Sequence, residues 1–145
     1  MLVDANVLIY AIDEGSPHHH QSASWMRTAL EGSRRVGIPW QTIGAFLRIS
    51  THPRLFEHPL APADAWQAMK GWLDAPACWI PTAGEGTARV LGELLTSLDL
   101  RGNLVTDAQL AALAIEHGVP VVSADTDFAR FAGVSWINPL APIRQ

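Results

Sequence analysis

Cysteine is nearly absent: Cys78 is the only one in 145 residues. A lone cysteine forms no internal disulfide and offers no cysteine cluster for a metal. Positive charge is also scarce, with 10 Lys and Arg against 14 Asp and Glu and a formal charge of -4. That excludes a general basic coat for nucleic acid and leaves room only for a local patch. No apolar run reaches the ~18 residues that a membrane span needs. Asp4 interrupts the first apolar run and no basic segment precedes it, so no secretory leader is expected and a soluble cytoplasmic protein is. No repeat, low-complexity tract or linker divides the chain. Apolar residues make up 48% of it. Length and composition therefore predict one ordered domain over residues 1–145.

What is present is an alternation of short apolar strands with longer helical patterns. Met1–Ile12 opens the chain as a strand running into a helix, interrupted only by Asp4 and Asn6. Helical spacing follows over residues 18–30, and Pro17 suits a helix start. Val36–Ile38 predicts a strand and Trp40–Ser50 a helix that Pro53 cannot continue. Further helices are expected over Ala63–Leu73, Glu85–Leu98 and Leu104–His117, the last ended by Gly118 and Pro120. Trp79–Pro81, Val121–Val122 and Val134–Ile137 complete the strands, with a short helix over Asp125–Phe131. Most of the tryptophans fall on helical stripes, and core packing is the role expected for them. The pattern predicts an α/β fold, a three-layer α/β/α sandwich on a mostly parallel sheet of about five strands.

Acids stand at three places that this fold makes notable. A buried strand has no cheap place for an unpaired carboxylate. Asp4 therefore belongs at the end of the first strand, where open α/β sheets gather ligands; its competing role is to cap the following helix. Asp107 projects from the apolar stripe of its own helix, with Ala111 and Ala114 on the same face. Its competing explanation is helix chemistry, with Thr106 as N-cap, Gln109 closing a capping box and the acid favoured by the dipole. Asp125 and Asp127 follow the Val121–Val122 strand, and one of them is expected to cap the short helix. In a parallel sheet all three places face one rim. Two carboxylates ~4 Å apart repel by roughly 4 kcal/mol at an effective dielectric of about 20. Such a cluster calls for a cation, and an all-oxygen set suits Mg²⁺ or Mn²⁺ and not zinc.

At these residues the chain resembles a known family. Val3-Asp4-Ala5-Asn6-Val7-Leu8, Asp107-Ala108 with Leu110–Ala114, and Ser123-Ala124-Asp125-Thr126-Asp127-Phe128 are similar in order and spacing to PIN-domain nucleases. The likeness is closest to VapC-type toxins of toxin–antitoxin pairs. Phe46–Ile49 and Thr51–Arg54 add a VapC subgroup pattern. The resemblance implies a Mg²⁺- or Mn²⁺-dependent endoribonuclease that cleaves RNA with a metal-activated water, a VapB-type antitoxin as partner, and a homodimer. It maps Asp4, Asp107 and Asp125 onto metal-binding positions and Asp127 onto an auxiliary acid. The family's usual Glu has no counterpart in Gln41–Ala45, and Glu57 lies beyond Pro53. A non-catalytic or weakly catalytic binding module therefore stays open.

Other residues complete the expectations. Arg48 and Arg54 are candidates for RNA phosphates or an acidic antitoxin segment. Asn6 either orients Asp4 or caps, and Asn103 is expected as a cap or turn residue. His18, His19 and His20 point in different directions on a helix and read as its solvated start. A haloacid-dehalogenase-type phosphatase also carries an Asp after its first strand, but wants a second Asp where this chain has Asn6.

Overall fold

A computed structural model describes residues 1–142. Its strands are β1 (Leu2–Val3), β2 (Val36–Gly37), β3 (Cys78–Trp79), β4 (Val121–Val122) and β5 (Trp136–Ile137). All pair in parallel, in the order β3-β2-β1-β4-β5. The helices are α1 (Ala5–Ile12), α2 (His19–Glu31), α3 (Trp40–Ser50), α4 (Pro62–Leu73), α5 (Glu85–Leu98) and α6 (Asn103–His117). A 3₁₀ helix spans Thr126–Arg130. No helix among the described residues is long and apolar enough to cross a membrane.

The pleat sends neighbouring strand residues to opposite faces. Leu2 and Val121 pack with Leu110, Leu113 and Phe128 under α5 and α6. Val3 and Val122 pack with Val7, Met26, Phe46 and Met69 under α1 to α4. The result is the expected α/β/α sandwich, with a sheet that is entirely parallel. From β1 the chain runs outward to β2 and β3, then returns to place β4 on the other side of β1. Strand order thus reverses between β1 and β4, and the crevice beyond their carboxyl ends is where open α/β sheets bind ligands. Gly37 in β2 is tightly enclosed: a Cβ there would lie 2.5 Å from Leu2 Cδ2 and 3.2 Å from Trp79 Nε1.

Three local expectations are corrected. Helix α6 begins at Asn103 behind Gly102, whose φ of 59° suits glycine, and no side chain caps it. Thr106 is therefore no N-cap and forms no capping box with Gln109, Asn103 is the first helical residue, and Asp107 lies beyond the first turn. The second correction concerns Pro17, which sits in the turn ahead of α2, while that helix starts at His19. Thirdly, Trp40 and Trp66 face solvent, 74% and 48% exposed. The core positions of α4 go to Ala65 and Met69, which turns Trp66 outward.

Candidate functional site

β1 ends at Val3, and the chain turns at Asp4 into α1. Asp4 Oδ1 accepts a hydrogen bond from the Ala5 amide at 2.7 Å, so the residue caps the helix. Its Oδ2 accepts from Ser123 Oγ at 2.7 Å and from Asn6 Nδ2 at 3.2 Å. The cap and the site residue are one and the same. Register explains the meeting: Val3 pairs with Val122, so the residues that follow each strand, Asp4 and Ser123, are neighbours.

Ser123 is fully buried. Its Oγ accepts from Asn6 Nδ2 and from the Asp125 amide, each at 3.0 Å. Asn6 Oδ1 accepts from the Ala124 amide at 3.2 Å. Asn6 therefore orients Asp4 and ties the end of β1 to the loop after β4. Asp125 caps the 3₁₀ helix by accepting from the Asp127 amide at 2.8 Å. Arg130 donates to Asp127 Oδ1 at 3.0 Å in a half-exposed ion pair.

Asp107 arrives from the second turn of α6. Asp107, Asp125 and Asp127 each present a carboxylate oxygen, and these oxygens lie within 4.8 Å of one another. Burial, followed by the negative charges of Asp125, Asp4 and Asp127, pushes the Asp107 carboxyl up to about 6, with Arg130 opposing. Asp4 is also raised above the ordinary carboxylate range, first by burial and then by Asp125; the hydrogen bonds from Ser123 and Ala5 pull the other way. The chain thus holds four acids in mutual electrostatic contact, Asp4 beside the tight trio of Asp107, Asp125 and Asp127. Four oxygen donors whose repulsion is only partly offset fit a hard divalent cation.

A cavity of about 40 Å³ lies between Asp4 and Asp107, closed by Gln41, Thr42, Ala45, Thr106 and Leu110. Thr42 Oγ1 donates to Val3 O at 2.8 Å and fixes the start of α3 against the end of β1. The α3 wall is neutral, with Gln41 and Ala45 facing the acids. Arg48 and Arg54 are exposed and do not line this cavity. His18 packs edge-on against Tyr10 and His19 Nδ1 meets Tyr10 O, while His20 is exposed. Sequence reasoning passed over Ser123, Thr42 and Gln41 as site residues. The signal for Ser123 was its place at the end of β4, matching Asp4 at the end of β1; Thr42 and Gln41 left none.

The PIN-domain family model matches residues 1–134. Ribonuclease VapC37 of Mycobacterium tuberculosis is 44% identical over 140 residues, covering 97% of both chains. Ribonuclease VapC33 of the same organism is 38% identical, covering 97% of this chain and 98% of that one. Among solved structures, VapBC-1 from nontypeable Haemophilus influenzae superposes with a TM-score of 0.72 at 14% identity, covering 97% and 98% of the two chains. VapBC2 from Rickettsia felis, bound to a DNA fragment of its promoter, gives 0.71 at 16% identity, covering 94% and 96%. These neighbours share the fold, and the haloacid-dehalogenase alternative falls with the family match and with Asn6 already bonded to Asp4. The chain belongs to the PIN-domain family, and its curated relatives there are VapC ribonucleases.

Proposed function

We propose that this protein is a Mg²⁺- or Mn²⁺-dependent endoribonuclease and the toxin of a toxin–antitoxin pair, working in the cytoplasm. The observation that carries the reading is the convergence of Asp4, Asp107, Asp125 and Asp127 from three separate parts of the chain at one rim. Asp4, Asp107 and Asp125 would hold the ion, and the approach of the Asp127 carboxylate to within 4.8 Å of those of Asp107 and Asp125 supports adding it to the set. When bound, it supplies neutralisation of charge developing on a phosphodiester and acidifies water as a nucleophile. The protein's own contribution is positioning. Ser123 and Asn6 hold the Asp4 carboxylate in one orientation, Arg130 fixes Asp127, and Thr42 anchors the neutral wall against which substrate sits. Asp107 has to be ionised to serve as a ligand, so a proton competes with the metal there.

The relatives' names support RNA as substrate, and the VapBC complexes among the fold neighbours support a VapB-type antitoxin. Such a partner would cover the rim with an extended or helical segment carrying an Arg. Arg48 and Arg54 remain proposed contacts for RNA or antitoxin, and a homodimer is proposed from the family likeness. The test is incubation of the purified protein with RNA in Mn²⁺, Mg²⁺ or EDTA, followed by sequencing of the ends. Cleavage with metal, absent in EDTA and in Asp4→Asn, is expected; RNA left intact by the wild type in both metals would refute the reading.

The neutral α3 wall favours a second reading, a binding module with little or no catalysis. Ala45→Glu separates the two. If only the missing acid limits activity, this substitution raises Mn²⁺ affinity and cleavage together; a binding module stays inactive.

A further inference from the structure

We infer that the cleft beside the acidic site is a nucleobase pocket, in which Trp40 stacks a base of single-stranded RNA and Gln41 and Gln109 read its edge. This rests on the ribonuclease reading and extends it to base preference. A cleft of about 490 Å³ opens between the start of α3, the first turns of α5 and the middle of α6. That size falls in the ~300–1,000 Å³ range of small-ligand sites. Its floor is apolar, built from Ala88, Leu91 and Leu113, and Trp40 stands at it with 74% of its surface exposed.

Two features select the occupant. First, Gln41 lines both this cleft and the small cavity containing Asp4 and Asp107, and Gln109 lines the cleft from α6. A phosphodiester at the acids therefore has one of its flanking bases within reach of the cleft. Second, no charged side chain lines the cleft among the described residues. Phosphate has no cation to meet there, and an acidic or basic peptide side chain has no counter-charge. A flat, neutral, hydrogen-bonding ring matches all the walls. Aromatic stacking holds any base, and side-chain amides supply donor and acceptor together for discrimination.

The experiment measures cleavage of a randomised single-stranded RNA pool, with kcat and KM on the best substrate, for wild type, Trp40→Ala, Trp40→Phe and Gln109→Leu. Sedimentation and antitoxin binding are measured in parallel. Trp40→Ala is expected to raise KM about tenfold, toward the lower end of what a lost base stack is worth, with kcat changed far less. Trp40→Phe restores most of that loss. Gln109→Leu alters base frequency at one position next to the cut. Unchanged KM and unchanged base frequencies in Trp40→Ala and Gln109→Leu overturn the proposal. If Trp40→Ala instead dissociates a dimer or weakens antitoxin binding alone, a second copy or the antitoxin covers the cleft and the pocket is refuted. Failure of the ribonuclease reading is distinct, because the wild type itself then cuts nothing.

Discussion

Asp107 is the residue on which the chemistry of the rim presses hardest. Its carboxyl is pushed up to about 6 by burial and by three neighbouring acids. Between its unfolded value and about 6, the folded chain binds a proton that the unfolded chain has released. Stability therefore falls as pH rises through that window, and the cost is fully present above about 6. In EDTA the wild type is expected to melt higher near pH 5 than near pH 7.5. Asp107→Asn loses much of that difference and melts about 3 °C higher at pH 7.5, roughly 1 kcal/mol after allowing for solvent screening. Excess Mn²⁺ reverses the order, because the proposed ligand set binds it only when folded and intact. Thermal unfolding at the two pH values, with and without the ion, checks all three outcomes.

Ser123 acts at the same scale without being an acid. Its hydroxyl donates to Asp4 and accepts from Asn6 and the Asp125 amide. Ser123→Ala leaves these groups short of a partner in a buried place, at a cost of about 1–3 kcal/mol. It also removes a bond that holds the Asp4 carboxyl down. Metal affinity is expected to fall about tenfold or more, as for other residues that orient ligands. Calorimetric titration with Mn²⁺ beside a melting curve separates that loss from simple unfolding.

At the scale of elements, β2 depends on a residue with no side chain. A methyl at Gly37 would press on Leu2 Cδ2 and Trp79 Nε1 in the middle of the sheet. Gly37→Ala is expected to destabilise the protein by about 1–3 kcal/mol, the usual cost of overpacking, read as a lower urea midpoint. The same element scale shows how far periodicity reaches. Trp40–Ser50 and Glu85–Leu98 have the bounds their apolar spacing predicts, because a buried stripe and a local stop, Pro53 after one and the left-handed Asp99 after the other, are properties of nearby residues. Helix α6 starts within one residue of the expected Leu104, but the capping box that Thr106 and Gln109 imitate does not form, because Gly102, at a φ of 59°, opens the helix four residues before Thr106. Trp66 was misplaced for a related reason: Ala65 and Met69 already define the buried stripe of α4, and the next position points outward.

At the scale of the molecule, the acids gather on a chain whose formal charge is already -4. RNA approaching that rim meets like charge, and long-range repulsion slows and weakens encounter. Gel retardation of RNA by an Asp4→Asn variant is expected to be undetectable in EDTA and to appear with Mg²⁺. Strong retardation in EDTA would mean that RNA binds elsewhere and that the rim plays no part in holding it.

The sequence by itself determined the alternation of strands and helices, the buried character of β1 and β4, and the placing of Asp4 directly after β1 and of Asp125 three residues after β4. It also carried the spacing that marks the family. These are short-range facts, set by which side chains lie within a few residues of one another. Only the tertiary structure decided that β4 lies against β1 in a β3-β2-β1-β4-β5 sheet, and hence that Asp4 meets Ser123 and faces Asp107 and Asp125. It alone put Asp127 within the tight acidic trio and Gln41 on the wall shared by two cavities. Strand order is the reason: it brings together groups more than a hundred residues apart, and no local pattern records which strand will be whose neighbour.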